Sequence, residues 1–219
     1  SEQQFEAYRK RVIHTLSHEF RTPLVAINTG AEILMDQAQS LDDGRINNLL
    51  EAIRRGGMRL EKLVTDFMLL QQIEAGIAAR VFESRARQLD ICDMLKGFVE
   101  SGQEEIGSRG HKLELACHVP STQVLAYEPQ VLDIMRRLCE NAAKFSPIEF
   151  SIEIHILPLE NEVALEVRDR GRGIDKDRAK EAIDIFGQLD RDKLEQQGGG
   201  LGLAIASRYA AIHGGRLEF

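Results

Sequence analysis

The stretch IHTLSHEFRTPLVAINTGAEIL, residues 13–34, decides the fold of the first part of this chain. Apolar or small residues recur in it at alternating spacings of three and four: Ile13, Leu16, Phe20, Pro23, Ile27, Gly30 and Leu34. Because this spacing places every member on one helical face, it is typical of the seam of a helical bundle. We therefore expect one long helix over residues 4–40.

A second seam of the same kind follows a short polar turn at residues 40–44. Its members are Ile46, Leu49, Ile53, Gly56, Leu60, Leu63, Phe67 and Leu70. Two long helices joined by a short turn predict an antiparallel helical hairpin, and a single hairpin leaves part of such long seams uncovered. We expect two copies of the chain to cover them together as a homodimeric four-helix bundle.

The pattern changes beyond residue 80, where helical periodicity and strand alternation follow one another. Helices are predicted at residues 89–106, 127–145 and 201–213, and strands at residues 111–118, 151–157 and 163–167. This mixture favours an α/β sandwich with helices on one face of a sheet, so the whole chain falls in the α+β class. A hinge is expected at residues 78–84, separating a first domain (1–77) from a second (78–219).

Composition and charge exclude several classes of protein. The chain has 219 residues, a net charge of −7, 5% aromatic residues and no Trp, which makes it a poor partner for nucleic acid. No apolar run approaches the roughly 20 residues of a membrane span and no signal peptide opens the sequence. We expect a cytoplasmic segment without membrane contact, and any anchor of a longer protein would precede residue 1. The three cysteines, Cys92, Cys117 and Cys139, are expected to be reduced core residues.

The octapeptide SHEFRTPL, residues 17–24, carries the first candidate chemistry. With Ile13 at heptad position a, His18 falls at position f, which faces water. An exposed imidazole has an unprotonated nitrogen at neutral pH and can act as a nucleophile, while Glu19 can accept a hydrogen bond from its other ring nitrogen. Pro23 removes a helical hydrogen bond at a cost of about 3 kcal/mol and predicts a bend just after His18. The alternative is a surface histidine followed by a proline by chance.

Two later motifs suit a metal-bound nucleotide. Asn141 and Lys144 share one face of a predicted helix, where an amide oxygen can bind Mg²⁺ and an ammonium can neutralise phosphate, although both are also ordinary surface residues. Asp169 directly follows a predicted strand and opens the sequence Asp-Arg-Gly-Arg-Gly. Its carboxylate can accept a hydrogen bond from an adenine amino group while the glycine backbone passes close to the ring. A turn that binds no ligand can have the same sequence pattern.

A third motif, the glycine-rich stretch at residues 198–202, leads directly into a predicted helix. Backbone N–H groups at a helix N-terminus form an anion site, which suits a phosphate group. The alternative is a flexible surface loop. The stretch has neither the Lys-Ser/Thr of a Walker A loop nor the early position of a Rossmann loop.

The order of these four motifs resembles the sensor histidine kinases of bacterial two-component systems. SHEFRTPL (17–24), LCENAAKFSP (138–147), DRGRGI (169–174) and GGGLGLAIA (198–206) are similar to the H, N, G1 and G2 boxes of that family. The resemblance covers residues 4–219. It implies a dimerisation and histidine-phosphotransfer hairpin followed by an ATP-binding domain of the gyrase, Hsp90, kinase and MutL type.

The resemblance also implies a role for each site residue. His18 would be phosphorylated from ATP and would pass the phosphoryl group to an aspartate in the receiver domain of a response regulator. Asn141 would hold Mg²⁺, Lys144 would meet phosphate and Asp169 would read adenine. The nucleotide loops would be shaped by Gly171, Gly173, Gly198, Gly200, Leu201 and Gly202. The pattern Glu-x-x-Thr, here Glu19 to Thr22, supports dephosphorylation of the regulator in that family.

Three of the chain's departures from the family pattern bear on the nucleotide site or on the extent of the domain. Arg137 stands where the N box usually has another polar residue, and it can contact phosphate but cannot bind Mg²⁺. Residues 185–191 keep Phe186 and Arg191 of the phenylalanine-rich box, so Arg191 is expected to reach the γ-phosphate while the packing of that box is altered. Residues 216–219 are expected in a penultimate strand, with a further strand beyond them, so the ATP-binding domain is expected to be truncated.

Two alternatives remain open from the sequence. The altered phenylalanine-rich box suits a non-catalytic dimeric scaffold with a degraded ATP pocket, which would show no Mg²⁺-dependent ATP affinity. The second alternative is an ATPase of the wider superfamily, such as a chaperone or topoisomerase domain. That class needs a general base for water near the Asn motif, where this chain has Arg137, and it lacks the hairpin that carries His18.

Overall fold

The computed structural model describes residues 2–37, 42–118, 122–174, 183 and 200–219. These residues fall into two compact units. The first contains helix α1 (Glu2–Gln37), helix α2 (Asp43–Glu74) as far as residue 71, and the described residues Gly200 and Leu201. The second begins at residue 72 and contains the mixed helices and strands. Both the helical hairpin and the α/β domain that follows it are confirmed.

The hairpin forms where the two apolar seams predict it. Leu16 of α1 and Leu63 and Leu70 of α2 are buried. Pro23 lies inside α1, which is a helix on both sides of it. The start of α2 is capped by Asp42, whose carboxylate accepts a hydrogen bond from the Arg45 backbone N–H at 2.8 Å. A side-chain oxygen at this position satisfies one of the backbone donors that a helix start leaves unpaired.

Two glycines let the hairpin helices approach closely. A Cβ atom added at Gly30 of α1 would lie 2.8 Å from Cγ1 of Ile53 in α2. A Cβ atom at Gly56 of α2 would lie 2.9 Å from Cγ1 of Ile27 and 3.1 Å from the carbonyl oxygen of Pro23. The seam therefore uses glycine as a packing residue at both contacts.

The second unit contains four helices and five strands in its described part. In chain order they are α3 (Ile77–Arg85), β1 (Arg87–Asp90), α4 (Ile91–Gly107), β2 (Leu113–Cys117), β3 (Gln123–Ala126), α5 (Glu128–Phe145), β4 (Ile152–Pro158), β5 (Val163–Arg168) and α6 (Gly202–Ile212). Strands β1 and β3 pair antiparallel as a separate ribbon. The main sheet has the order β2-β4-β5, in which β4 runs parallel to β2 and antiparallel to β5.

The core of the second unit lies between the main sheet and the helices on one of its faces. Alternate residues of β4, namely Ile152, Ile154 and Ile156, are fully buried, as the period of a strand with one covered face requires. They share one cluster with Leu95 of α4 and Met135 of α5. This packing holds α5, which carries the Asn141 motif, against the sheet.

Several sequence predictions about this unit are wrong in detail. The hinge expected at residues 78–84 lies inside α3, where Ala78 is buried and the Phe82 ring packs against His213 with centroids 4.6 Å apart. The chain turns instead at Gly76, whose φ of +73° suits glycine. Residues 216–219 form no strand here, and Arg216 pairs with Glu162 and Glu218.

Other differences concern the start of α4 and the cysteines. The helix predicted from residue 89 begins at Ile91, because the Asp90 carboxylate caps it by accepting from the backbone N–H groups of Cys92 and Asp93 at 2.9 and 3.1 Å. Cys92 and Cys139 are buried as expected, but Cys117 is exposed at the end of β2. None of the described helices combines the length and hydropathy needed to cross a membrane.

Candidate phosphoacceptor and nucleotide sites

His18 and Glu19 are neighbours on α1 and point to different environments. His18 is exposed, as its predicted heptad position requires, whereas Glu19 is 3% exposed. Consecutive residues of an α-helix lie about 100° apart around its axis, so one can face solvent while the next faces the seam. The structure therefore presents the His18 imidazole and buries the carboxylate beside it.

Glu19 has a partner on the second helix of the hairpin. The Arg59 guanidinium donates a hydrogen bond from Nη2 to Glu19 Oε2 at 3.2 Å. The sequence reasoning assigned Glu19 to the His18 ring and missed Arg59. Glu19 and Arg59 each flank a seam position, Phe20 and Leu60, and flanking positions of helical bundles commonly carry interhelical ion pairs. This rule could have indicated Arg59 from the sequence alone.

Thr22 lies one turn after His18 on the same exposed side of α1. Its hydroxyl donates a long hydrogen bond, 3.4 Å, to the His18 backbone carbonyl. A threonine hydroxyl that bonds back to the preceding turn is common inside helices. The structure thus places the Thr22 hydroxyl next to the His18 backbone, and the bend predicted after His18 stays a prediction.

The N-box residues lie on the last turns of α5. Asn141 is half-buried and Lys144 is exposed, with its Nζ 4.7 Å from the centroid of the Phe145 ring. The expectation that Arg137 contacts phosphate does not fit its surroundings, because its side chain is buried and its Nε donates to Asp133 Oδ2 at 2.7 Å. An ion pair one turn apart on the same helix holds Arg137 in place.

The turn after β5 is built on the carboxylate of Asp169. Its Oδ1 accepts a hydrogen bond from the Gly171 backbone N–H at 2.6 Å. A side chain at Gly171 would meet the Phe145 carbonyl oxygen at 3.1 Å, and Gly173 has a φ of +71°. Both positions therefore favour glycine, the first for space and the second for backbone conformation.

The structure brings the N-box and G1 segments together. The Arg170 backbone N–H donates to Ser146 Oγ at 3.2 Å, which joins the turn to the end of α5. The Arg172 guanidinium lies 5.2 Å from the centroid of the same Phe145 ring that Lys144 contacts. The structure thus places two cations at one aromatic ring, the second of them three residues after Asp169. Cations and a carboxylate are side chains suited to phosphate and to a purine amino group.

The G2 segment is only partly within the described residues. Gly198 and Arg191 lie outside them, so their predicted roles stay predictions. Gly200 has a φ of +64°, Leu201 is buried and Gly202 is the first residue of α6. The helix predicted after the glycine-rich stretch is confirmed from Gly202. The anion site expected at its N-terminus stays a prediction.

The fit of this site to Mg²⁺ rests on the Asn141 side chain. Mg²⁺ in nucleotide sites is held by one or two protein oxygens together with phosphate and water oxygens. The half-buried Asn141 amide offers one such oxygen next to Lys144. Within the described part of the chain, no group of three or more His, Cys, Asp or Glu side chains is placed to hold a metal. The residues fit a metal that arrives with a triphosphate.

Comparison with known families decides the assignment. Residues 8–76 match the His Kinase A (phospho-acceptor) domain, and residues 126–219 match the histidine kinase-, DNA gyrase B- and HSP90-like ATPase domain. The chain belongs to the sensor histidine kinases. His18, Glu19 and Thr22 fall in the first matched region, and every predicted nucleotide-site residue falls in the second. This kinase therefore carries both a phosphoacceptor domain and an ATP-binding domain.

Similar proteins agree with this family. The kinase is 28% identical to the phosphate regulon sensor protein PhoR of Pseudomonas aeruginosa, over 98% of this chain and 47% of PhoR. It is 31% identical to the sensor histidine kinase MtrB of Mycobacterium tuberculosis, over 99% of this chain and 37% of MtrB. The chain thus spans less than half the length of these relatives.

Solved structures share the fold. The Acinetobacter baumannii histidine kinase AdeS superposes with a TM-score of 0.59 at 19% identity, over 89% of this chain and 86% of AdeS. Full-length ShkA in complex with AMPPNP gives a TM-score of 0.53 at 24% identity, over 93% of this chain and 41% of ShkA. At these identities the likeness supports the fold.

Proposed function

We propose that this chain transfers the γ-phosphoryl group of ATP to a ring nitrogen of His18 and then to an aspartate of a response regulator receiver domain. The observation that carries the proposal is the exposure of His18 inside the matched phosphoacceptor domain, beside a buried Glu19. An imidazole open to solvent can meet both a nucleotide and a partner protein. Glu19 and Pro23 of the same motif are buried and do not share this access.

The nucleotide site contributes charge and position. In phosphoryl transfer the protein mainly neutralises the triphosphate and holds the nucleophile in line with the breaking bond. We assign Asn141 to Mg²⁺, Lys144 to phosphate and Asp169 to the adenine amino group. Bound Mg²⁺ supplies charge neutralisation at the phosphate oxygens. The complex of full-length ShkA with AMPPNP, an ATP analogue, supports a nucleotide at this fold.

His18 belongs to a different unit from Asn141, Lys144 and Asp169, so the reaction has two separable parts. A His18 variant should lose labelling and keep ATP affinity. The test is incubation of the dimeric chain with γ-labelled ATP and Mg²⁺, comparing the wild type with His18→Gln. His118→Gln, which changes an exposed histidine of the second unit, is the matched control. Label that is acid-labile and base-stable marks phosphohistidine.

Each outcome of this labelling experiment bears on the proposal. Label on the wild type and on His118→Gln, with none on His18→Gln, supports it. Label on His18→Gln at the wild-type level removes His18 from the reaction. A wild type that acquires no label and shows no Mg²⁺-dependent affinity for ATP favours the scaffold alternative, which the altered phenylalanine-rich box suggested. A wild type that binds Mg·ATP but acquires no label contradicts the transfer to His18.

The proposal extends to partners and compartment. One hairpin leaves large apolar side chains exposed: Leu24, Val25, Met35, Leu50, Met58, Val64 and Met68. A second copy of the chain that covers such a face would complete a four-helix bundle, as the seams predict. The receiver domain of a response regulator is the second partner. Both ATP and such regulators are cytoplasmic, so we assign this segment to the cytoplasm.

A further inference from the structure

His111 is a buried histidine outside every motif that the sequence singled out. It lies just before β2 and its side chain is 3% exposed. Its Nε2 is 3.0 Å from the carbonyl oxygen of Ala143, and its Nδ1 is 3.0 Å from the carbonyl oxygen of Phe150. The ring therefore bridges two backbone carbonyls that are seven residues apart in the chain.

The first of these carbonyls belongs to the helix that carries the N box. Helix α5 ends at Phe145, so the carbonyls of its last four residues lack a partner within the helix. Ser146 satisfies one of them, because its backbone N–H donates to the Ala142 carbonyl at 2.9 Å. His111 satisfies the next, that of Ala143, which lies between Asn141 and Lys144. A histidine from outside the helix thus caps its C-terminal end.

The second carbonyl belongs to the loop that faces the G1 segment. The Phe150 ring lies 5.2 Å from the guanidinium of Arg170, which follows Asp169. The two ends of the bridge therefore reach the two segments that form the candidate nucleotide site. Because a buried ring with two bonds has little freedom, His111 fixes the last turn of α5 relative to this loop.

Both partners of the His111 ring are hydrogen-bond acceptors. A carbonyl oxygen only accepts hydrogen bonds, so a ring nitrogen bonds to it through an N–H. A neutral imidazole has one N–H and satisfies one carbonyl, whereas the doubly protonated ring satisfies both. The C-terminal end of a helix also favours a cation, since the helix dipole is negative there.

We propose that His111 is a positioning residue for the nucleotide site, acting as a buried bridge between the Ala143 and Phe150 carbonyls that holds the Asn141–Lys144 turn in place. It touches neither nucleotide nor metal, and its effect passes through the Ala143 carbonyl. The inference deepens the proposed function and rests on it. A bridge of this kind should matter for the affinity of Mg·ATP beyond its contribution to the stability of the fold.

The test separates positioning from stability. His111→Phe keeps a buried ring and removes both donors, while His111→Gln keeps an amide donor. Ile156→Ala, at a fully buried position of β4, is the matched control because it lowers stability without removing a hydrogen bond to the Asn141–Lys144 turn. The free energy of unfolding is measured in urea, and Mg·ATP affinity is measured by calorimetry on the intact chain at a temperature where each variant is folded.

The expected result is a specific loss of affinity. His111→Phe should bind Mg·ATP about tenfold more weakly than the wild type, His111→Gln should recover part of the loss, and Ile156→Ala should stay within about twofold. The proposal is overturned if His111→Phe and Ile156→Ala are equally destabilised and His111→Phe loses no more Mg·ATP affinity than Ile156→Ala. A wild type without Mg·ATP affinity would instead contradict the proposed function, so the two failures are distinguishable.

A second measurement keeps the bridge testable if His111→Phe does not fold. Nitrogen NMR of the histidine rings in the wild type at neutral pH distinguishes protonated from unprotonated ring nitrogens. Two protonated nitrogens at His111 support the double bridge. An unprotonated nitrogen at either position overturns it, because one carbonyl would then face a lone pair.

Discussion

The carboxylate of Glu19 accepts a hydrogen bond from the Arg59 guanidinium at 3.2 Å, although 40 residues separate the two in the chain. The pair joins α1 to α2 one residue away from the candidate phosphoacceptor. Because Glu19 is buried, its charge has to be compensated within the protein. Arg59 therefore holds the carboxylate beside His18 in place.

Arg59→Met should destabilise the hairpin by about 2 kcal/mol, because it removes the cation from a buried carboxylate while keeping the apolar part of the side chain. Glu19→Gln should cost less, and the double variant should cost less than the sum of the two single changes. Urea unfolding of the four proteins gives the coupling free energy. Additive changes would mean that the two side chains do not interact in solution.

Asn141→Ala should weaken Mg·ATP binding at least tenfold and stop labelling of His18, because one oxygen ligand of the metal is lost. Its half-buried position predicts little change in unfolding temperature. Asn161→Ala, in the exposed turn between β4 and β5, is the matched control. Normal labelling of Asn141→Ala in Mg²⁺ would assign the metal to another residue.

Thr22→Ala should slow dephosphorylation of the regulator while His18 is still labelled. The Thr22 hydroxyl lies 3.4 Å from the His18 backbone carbonyl, one turn along the same helix. We expect it to orient the water that attacks a phosphoryl group docked at His18. Thr22→Ser keeps the hydroxyl and should retain most of the activity. Loss of label from purified phospho-regulator is the measurement, and equal decay with the wild type and Thr22→Ala would leave Thr22 a structural role.

If two copies pair through the exposed apolar side chains of the hairpin, as proposed, Met68→Glu should weaken the dimer at least tenfold, because it places a charge among those side chains. Met68 is 58% exposed in one chain, whereas Leu63 is 3% exposed, so a charge at Leu63 would test the folding of the hairpin itself. Arg55→Glu, at an exposed polar position of α2, is the control. Sedimentation equilibrium that shows an unchanged dimer with Met68→Glu would move the interface to another surface.

The free energy of unfolding should fall at alkaline pH because of Cys139. Burial raises the pKa of this thiol from 9.0 to about 12, so the unfolded chain loses the proton first as the pH rises. The stabilisation is fully present below pH 9 and declines by about 1.4 kcal/mol per pH unit between pH 9 and 12. Cys139→Ala should show a shallower decline than Cys117→Ala, which changes the exposed thiol. If the free energy of unfolding of the two variants declined with pH at the same rate, the raised pKa of Cys139 would be contradicted.

The elements that sequence analysis predicted are those with a strong local period. The hairpin seams, α5 and the β4–β5 hairpin all repeat over enough residues to identify their type. Strands β1 and β3 were missed because each has four residues and its partner is distant in the chain. The hinge at residues 78–84 was wrong because buried Ala78 and the Phe82–His213 contact stabilise a helix there, and such tertiary contacts leave no local signal.

The residues of the candidate site also differ in whether the sequence alone can predict them. Residues that belong to compact motifs, such as His18, Asn141 and Asp169, are recognisable from their neighbours in the chain. Arg59 and His111 act on these motifs from 40 and 32 residues away, as measured to Glu19 and Ala143. A single sequence contains the residue types for such contacts but not the pairing. The contacts of Arg59 and His111 could therefore be identified only from the structure.

The close approach of the hairpin helices has a consequence for how this sequence can change. At each of two contacts a glycine hydrogen faces an isoleucine, Gly30 against Ile53 and Gly56 against Ile27. Alanine at either glycine would collide unless the facing isoleucine became smaller, while a smaller isoleucine alone would leave a cavity. Substitutions at Gly30 and Ile53 are therefore expected to occur together, and likewise those at Gly56 and Ile27. Among related chains, changes at these positions should be correlated across the hairpin.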